Sequence, residues 1–150
     1  MGFVFGTDSK KRLATCHPDI QKVLSLAITR SKVDFGVSEG ERSIERQQEL
    51  YAIGRTVNVH KSTVTNVDGI KKKGKHNHSP SLAVDIYVWH DNPSTRKQID
   101  YDEAHLSYVA GVIDSCAAEL NINITWGGNW DNDGIIKFDQ GLNDMPHFQI

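Results

Sequence analysis

Apolar residues recur at helical spacing in two stretches of this chain. Ile20, Val23, Leu24, Ala27 and Ile28 form one stripe, and Leu106, Val109, Ala110, Ile113, Ala117 and Leu120 form a longer one. Spacings of three and four put such residues on one face, so both stretches are predicted to be amphipathic helices. The first covers 18–30, opened by Pro18 and with Asp19 and Arg30 placed to suit the helix dipole. The second starts after Asp102, a predicted N-cap, and stops at Asn121. A third helix is expected over 44–53, capped by Ser43 and ended at Gly54, with Leu50 and Tyr51 turned to the core.

Short β-rich runs fill the remaining places. Residues 33–38, 82–89, 122–126 and 146–150 are predicted strands, and 82–89 has apolar residues on both sides, as expected of a central strand. Residues 10–17 form an entry segment before the helix at 18–30. Residues 55–74, 91–99 and 130–142 lack periodicity and are predicted loops, the second marked by Asn92-Pro93-Ser94. Helices and strands mix without regular alternation, and no repeat or linker divides the chain. One α+β domain over 1–150 follows, with no separate second module expected.

Composition narrows the function. At 150 residues the chain can bury a core unaided, and 38% hydrophobic with 24% charged residues is ordinary for a globular protein. A formal charge of −2 speaks against a nucleic-acid partner, and the basic cluster 71–75 reads as a solvated loop. No apolar run approaches the ~18–20 residues of a bilayer span, and the N-terminus carries no secretory pattern. The expected setting is cytoplasm without membrane insertion, any work outside needing another protein to permeabilise the membrane. Cys16 and Cys116 match no metal spacing and read as reduced thiols, Cys116 on the buried side of its helix.

The chemistry concentrates between Lys71 and Trp89. Asp85 lies between Val84 and Ile86, where an unpaired carboxylate would be too costly to bury. A metal shared with histidine is one remedy. Alternation along the last strand puts His147 and Gln149 on one face, Phe148 and Ile150 on the other. Asp85 and His147 are then able to face each other, with a histidine of the 74–81 loop, His76 or His78, closing over them. Two imidazoles and a carboxylate leave a zinc ion one position for water, whose pKa falls to about 7. Asp144, three residues before His147, is placed to lean over the ion without ligating it and to handle the proton.

Four segments, in order, carry a resemblance. They are Glu39-Gly40-Glu41-Arg42-Ser43 with Glu45-Arg46-Gln47, then Gly74-Lys75-His76-Asn77 through Pro80-Ser81-Leu82-Ala83-Val84-Asp85, then Trp126-Gly127-Gly128-Asn129-Trp130, and last Asp144-Met145-Pro146-His147-Phe148. Together they resemble the M15 family of zinc peptidases, and within it the phage endolysins of the L-alanyl-D-glutamate peptidase type. The resemblance implies a small antiparallel sheet flanked by helices, the hedgehog/D-Ala-D-Ala peptidase-like fold. It implies zinc ligands His76, Asp85 and His147, with Asp144 as catalytic base. Arg42 matches the arginine that holds substrate oxygen and stabilises the oxyanion, and Gln47 a polar substrate-binding residue nearby.

The implied substrate is the stem peptide of bacterial peptidoglycan, cut by a monomeric enzyme for host lysis. A D,D- or L,D-carboxypeptidase on the same fold is the nearest alternative, and a non-catalytic zinc-stabilised binding module a more distant one. Two departures stand out. His76 precedes Asp85 by nine residues, as in a phage subgroup with His-Asn-x-x-Pro-Ser-x-Ala-Val-Asp, while His78 precedes it by the commoner seven. Gly74 stands where the family usually has serine. His76 is favoured, since it alone accounts for Asn77, Pro80 and Ser81.

Other chemistry-bearing residues read plainly. His17, His60, His90 and His105 are expected as surface histidines, and Trp126 and Trp130 as packing around Gly127-Gly128, with one wall of a substrate groove as the alternative. Asp131 and Asp133 are a weak calcium signal, because the closing glutamate of such a loop is missing.

Overall fold

The structure is a computed structural model, described here for residues 2–90, 98–136 and 143–150. Among these residues the elements run α1 (Thr7–Leu13), α2 (Pro18–Arg30), β1 (Asp34–Glu39), α3 (Ile44–Ala52), a 3-10 turn at Lys75–Asn77, β2 (Ala83–Trp89), β3 (Ile99–Asp100), α4 (Glu103–Glu119), β4 (Thr125–Trp126) and β5 (His147–Gln149). The strands pair antiparallel in the order β1-β2-β5-β4, with β3 joining the far end of β2. This is the expected α+β architecture. No helix among the described residues is long and apolar enough to cross a membrane.

α2 keeps the bounds its stripe predicts, and all five stripe residues are buried. His17 caps it, its Nδ1 accepting from the Asp19 amide at 3.1 Å, so this histidine serves the helix end. α4 is capped as predicted, Asp102 accepting from the amides of Ala104 and His105. Its stripe is buried from Leu106 to Ala117, but Leu120 is 38% exposed because α4 has already ended at Glu119. Asn121 follows at a φ of 57°, a left-handed position that asparagine tolerates. α2 and α4 cover one face of the sheet and pack on Val84, Ile86, Val88 and Phe148. Each fully buried aliphatic side chain there contributes roughly 1.5–3 kcal/mol.

β2 is central, as predicted, but only one of its faces is core. Val84, Ile86 and Val88 are fully buried, whereas Asp85 and Tyr87 alternate to the other face and are half-buried. That opposite face carries the polar site.

Three expectations need correction. The entry segment overlaps a helix, α1, which begins before it and which sequence periodicity missed because only Ser9 and Leu13 of its seven residues are buried. Leu50 and Tyr51 are half-buried, and the buried residue of α3 is Gln47. The strand expected over 122–126 shrinks to Thr125–Trp126. The loop predicted at 55–74 holds no helix or strand. The loop assigned to 91–99, apart from its last two residues, and the end of the loop at 130–142 lie outside the described residues.

Candidate metal centre and active site

Three neighbouring strands set one row of polar side chains. Asp85 on β2 pairs with Glu39 of β1 on one side and with His147 of β5 on the other. A register shift between Val37 and Glu39 turns the end of β1, which leads into Arg42 and α3. Residues directly opposite in an antiparallel pair have adjacent side chains. His147 Nδ1 accordingly lies 3.0 Å from Asp85 Oδ1.

His76 arrives from the 3-10 turn. Its Nδ1 lies 2.7 Å from the Gly40 carbonyl, which only accepts, so Nδ1 is the protonated nitrogen. Nε2 then offers a lone pair, 3.3 Å from Asp85 Oδ1, and it is buried with no hydrogen-bond partner. Gly40 comes close enough for this because it has no side chain; a Cβ there would collide with Arg12 and Thr15. The His76 and His147 rings meet edge to face at 5.1 Å. His78, the rival ligand, is exposed and stands outside the cluster.

The donor set fits zinc. Donors about 2.0–2.2 Å from one tetrahedral ion lie roughly 3.3 Å from each other. The two ring nitrogens stand 3.3 and 3.0 Å from the shared carboxylate oxygen. An unpartnered buried nitrogen facing a carboxylate oxygen, acceptor to acceptor, is an arrangement a cation resolves. Both rings are also held from behind, His76 by Gly40 and His147 by Gln149, whose Oε1 lies 3.0 Å from Nε2. Such outer contacts fix the tautomer of a ligating histidine.

Electrostatics at the centre follow from burial and pairing. Burial pushes the Asp85 carboxyl up, but the His147 and His76 imidazoles outweigh it and hold the group well below the ordinary carboxylate range. Burial lowers the His147 pKa, yet its hydrogen bond to Asp85, the charge of Asp85, the contact with Gln149 and the charge of Asp144 together outweigh it, leaving it above the usual imidazole value. Asp144 is raised, first by burial and then by the charge of Asp85.

Asp144 Oδ2 is 3.9 Å from His147 Nδ1, beside the donor set and not within it. Backbone pairing holds it there. The Asp144 amide donates to Gly127, the Gly127 amide donates to His147, and a Cβ on Gly127 would collide with the Asp144 carbonyl. Trp126 anchors the same turn through Nε1 to the Met145 carbonyl at 2.7 Å and stacks on Phe148. Trp126 is thus packing, as expected, while the Trp130 ring lies 5.4 Å from that of His147 and forms one side of the centre.

Arg42 is 13% exposed at the side chain, with Nη2 3.7 Å from Asp85 Oδ2. Its Nε binds Glu39, and its Nη1 donates to Gln47 Oε1 at 3.0 Å. Gln47 is 2% exposed and spends its amide on the Val67 carbonyl, so the expected direct substrate contact does not fit; it braces Arg42. Asn77 secures the same segment by donating to the Arg42 carbonyl.

The structure thus brings together His76, Asp85, His147, Asp144 and Arg42, with Gln47 behind. Sequence reasoning missed the bracing roles of Glu39 and Gln149. The signal for Gln149 was its period-two relation to His147. Glu39 depends on the register shift in β1, which no local pattern announces.

Asp85 and His147 on neighbouring strands of an open antiparallel sheet, His76 closing over them from the 3-10 turn, and Asp144 with its raised pKa beside them form a group of side chains that could hold a metal ion. Residues 1–150 match the family described as phage L-alanyl-D-glutamate peptidase. The chain belongs to that family, and it is an enzyme, a peptidase. It is 27% identical over 153 residues to the L-alanyl-D-glutamate peptidase of Escherichia phage T5, covering 100% of this chain and 99% of the relative. It is 23% identical over 137 residues to the peptidoglycan L-alanyl-D-glutamate endopeptidase CwlK of Bacillus subtilis, covering 89% of this chain and 72% of that protein. The crystal structure of the Serratia marcescens L-Ala D-Glu endopeptidase ChiX superposes with a TM-score of 0.68 at 27% identity, over 98% of this chain and 90% of the other.

Proposed function

We propose that this protein is a zinc-dependent endopeptidase that cuts the L-alanyl-D-glutamate bond of peptidoglycan stem peptides, as the lysis enzyme of a phage. The observation that carries the reading is the unpartnered Nε2 of His76 facing Asp85 Oδ1, with His147 completing a donor set of zinc dimensions. His76, Asp85 and His147 would hold the ion, which when bound supplies an acidified water and polarises the scissile carbonyl.

The chain's own residues do the remaining work. Asp144 Oδ2 takes the proton of the attacking water and returns it to the leaving amine. Its raised pKa suits a group that must both accept and release a proton. Arg42, gripped by Glu39 and Gln47, keeps its Nη2 edge toward the centre, where it steadies the substrate oxygen as negative charge develops. All of these groups come from one chain, so a monomer suffices. The enzyme accumulates in the host cytoplasm and reaches the wall once another protein has opened the membrane.

Mass analysis of fragments released from purified peptidoglycan tests the bond assignment. New C-terminal L-alanine and new N-terminal D-glutamate are expected. Release of single terminal D-alanine would instead identify a carboxypeptidase.

A further inference from the structure

The site just described leaves a second cluster unused. His90 follows β2, Asp100 closes β3, and His105 lies in the first turn of α4; none of the three is fully exposed. The sequence offered His90 and His105 as unrelated surface histidines. The fold corrects that by facing their rings at 5.3 Å with Asp100 between. We propose that His90, Asp100 and His105 form a second binding site for a transition-metal dication of the zinc class.

The atoms argue as follows. Asp100 divides its carboxylate, Oδ1 accepting from the Asp102 amide at 3.1 Å and Oδ2 meeting both rings. His90 Nε2 is in direct contact with Oδ2, and His105 Nδ1 lies 3.3 Å from it. That separation again matches the roughly 3.3 Å between neighbouring donors on a tetrahedral ion. His105 Nδ1 is buried and makes no hydrogen bond. Asp102, the next carboxylate, is 3.7 Å away and already caps α4. Two imidazoles and one carboxylate are a donor set for zinc and its neighbours, and a poor one for calcium or magnesium.

The backbone fixes this arrangement independently of any ion. Val88 and Trp89 pair with Asp100 and Ile99, and the His90 amide donates to the Gln98 carbonyl at 2.8 Å. His90 and His105 also line a cavity of about 420 Å³ with Phe3, Lys32, Asp34 and Trp89, which leaves room for water to complete the coordination. His90 lies five positions beyond Asp85, roughly 16 Å along extended chain, so the two centres are distinct. An ion here ties the end of β2 and β3 to the start of α4, a structural clamp that takes no part in catalysis.

Zinc counting decides the matter. Metal-free full-length protein is dialysed against micromolar zinc chloride, and bound zinc is measured by elemental analysis. Two zinc ions per chain are expected for the wild type and one for His90→Ala/His105→Ala, which keeps its lytic activity. His76→Ala is expected to keep the second ion while losing lysis, so the two centres fail separately. Histidine ring resonances of the wild type give a reading that needs no variant: His90 and His105 should shift as the second equivalent is added. One zinc per chain in the wild type, or unmoved His90 and His105 resonances, overturns the proposal.

Discussion

His76 Nε2 faces Asp85 Oδ1 across 3.3 Å with no hydrogen bond between them. The nitrogen is committed to this role because Nδ1 on the same ring donates to Gly40. Two acceptors held face to face in a buried place repel unless a cation joins them. Chelation should therefore abolish lysis, and added zinc should restore it. Thermal unfolding with and without zinc gives a second check, since an ion that binds only the folded state raises the midpoint.

Asp144 stands outside the donor set, so its removal should separate chemistry from metal binding. Asp144→Asn is expected to lower kcat by about 10²–10⁴-fold, the usual contribution of a positioned base. Zinc bound at the centre should not change. Full activity in this variant would show that another group moves the proton.

Arg42 uses its fork in three directions, to Glu39, Gln47 and the Asp85 side. Lysine cannot reproduce that planar geometry. Arg42→Lys should lose about 10²–10³-fold in kcat, comparable to loss of an oxyanion donor. Gln47→Leu acts one step further back. It strands the Val67 carbonyl, and should cost about 1–3 kcal/mol in denaturant unfolding as well as activity.

Much of this was legible in the sequence. The stripes of α2 and α4, the caps Ser43 and Asp102, and β2 with Asp85 all follow from local pattern, because burial on one face writes itself into residue spacing. α1 was not legible, since a seven-residue helix with two buried residues leaves no stripe. The choice between His76 and His78 also needed the fold. What separates them is the reach of the Gly40 carbonyl, set by how β1 packs on the segment before α2. The pairing of His90 with His105 was invisible for the same reason: β3 and α4 bring them together from distant positions.

Gln149 holds His147 from behind through its Nε2. Gln149→Leu should weaken zinc binding at the catalytic centre by about 10–100-fold, the usual cost of losing such an outer contact. Competition with a chromophoric chelator measures it. Unchanged affinity would mean that the β5 backbone alone orients the ring.

The metal-free protein should carry a signed pH dependence. His147 is raised above 6.5, so its contribution is full below that value and is lost as pH rises through the folded-state pKa. Asp85 is lowered below 3.8, so its contribution is present above that value and is lost as pH falls through the folded-state pKa. The pair therefore supports the metal-free fold most between 3.8 and 6.5. Zinc needs His147 deprotonated, so its added stabilisation should grow as pH rises through the raised value. Unfolding midpoints against pH, with and without zinc, should diverge in that direction.

The most direct test of the catalytic centre is an anomalous difference map at the zinc edge from a zinc-loaded crystal. The account predicts a peak about 2.0–2.2 Å from each of His76 Nε2, Asp85 Oδ1 and His147 Nδ1. An empty map at that point, or a peak bound instead through His78, would contradict it.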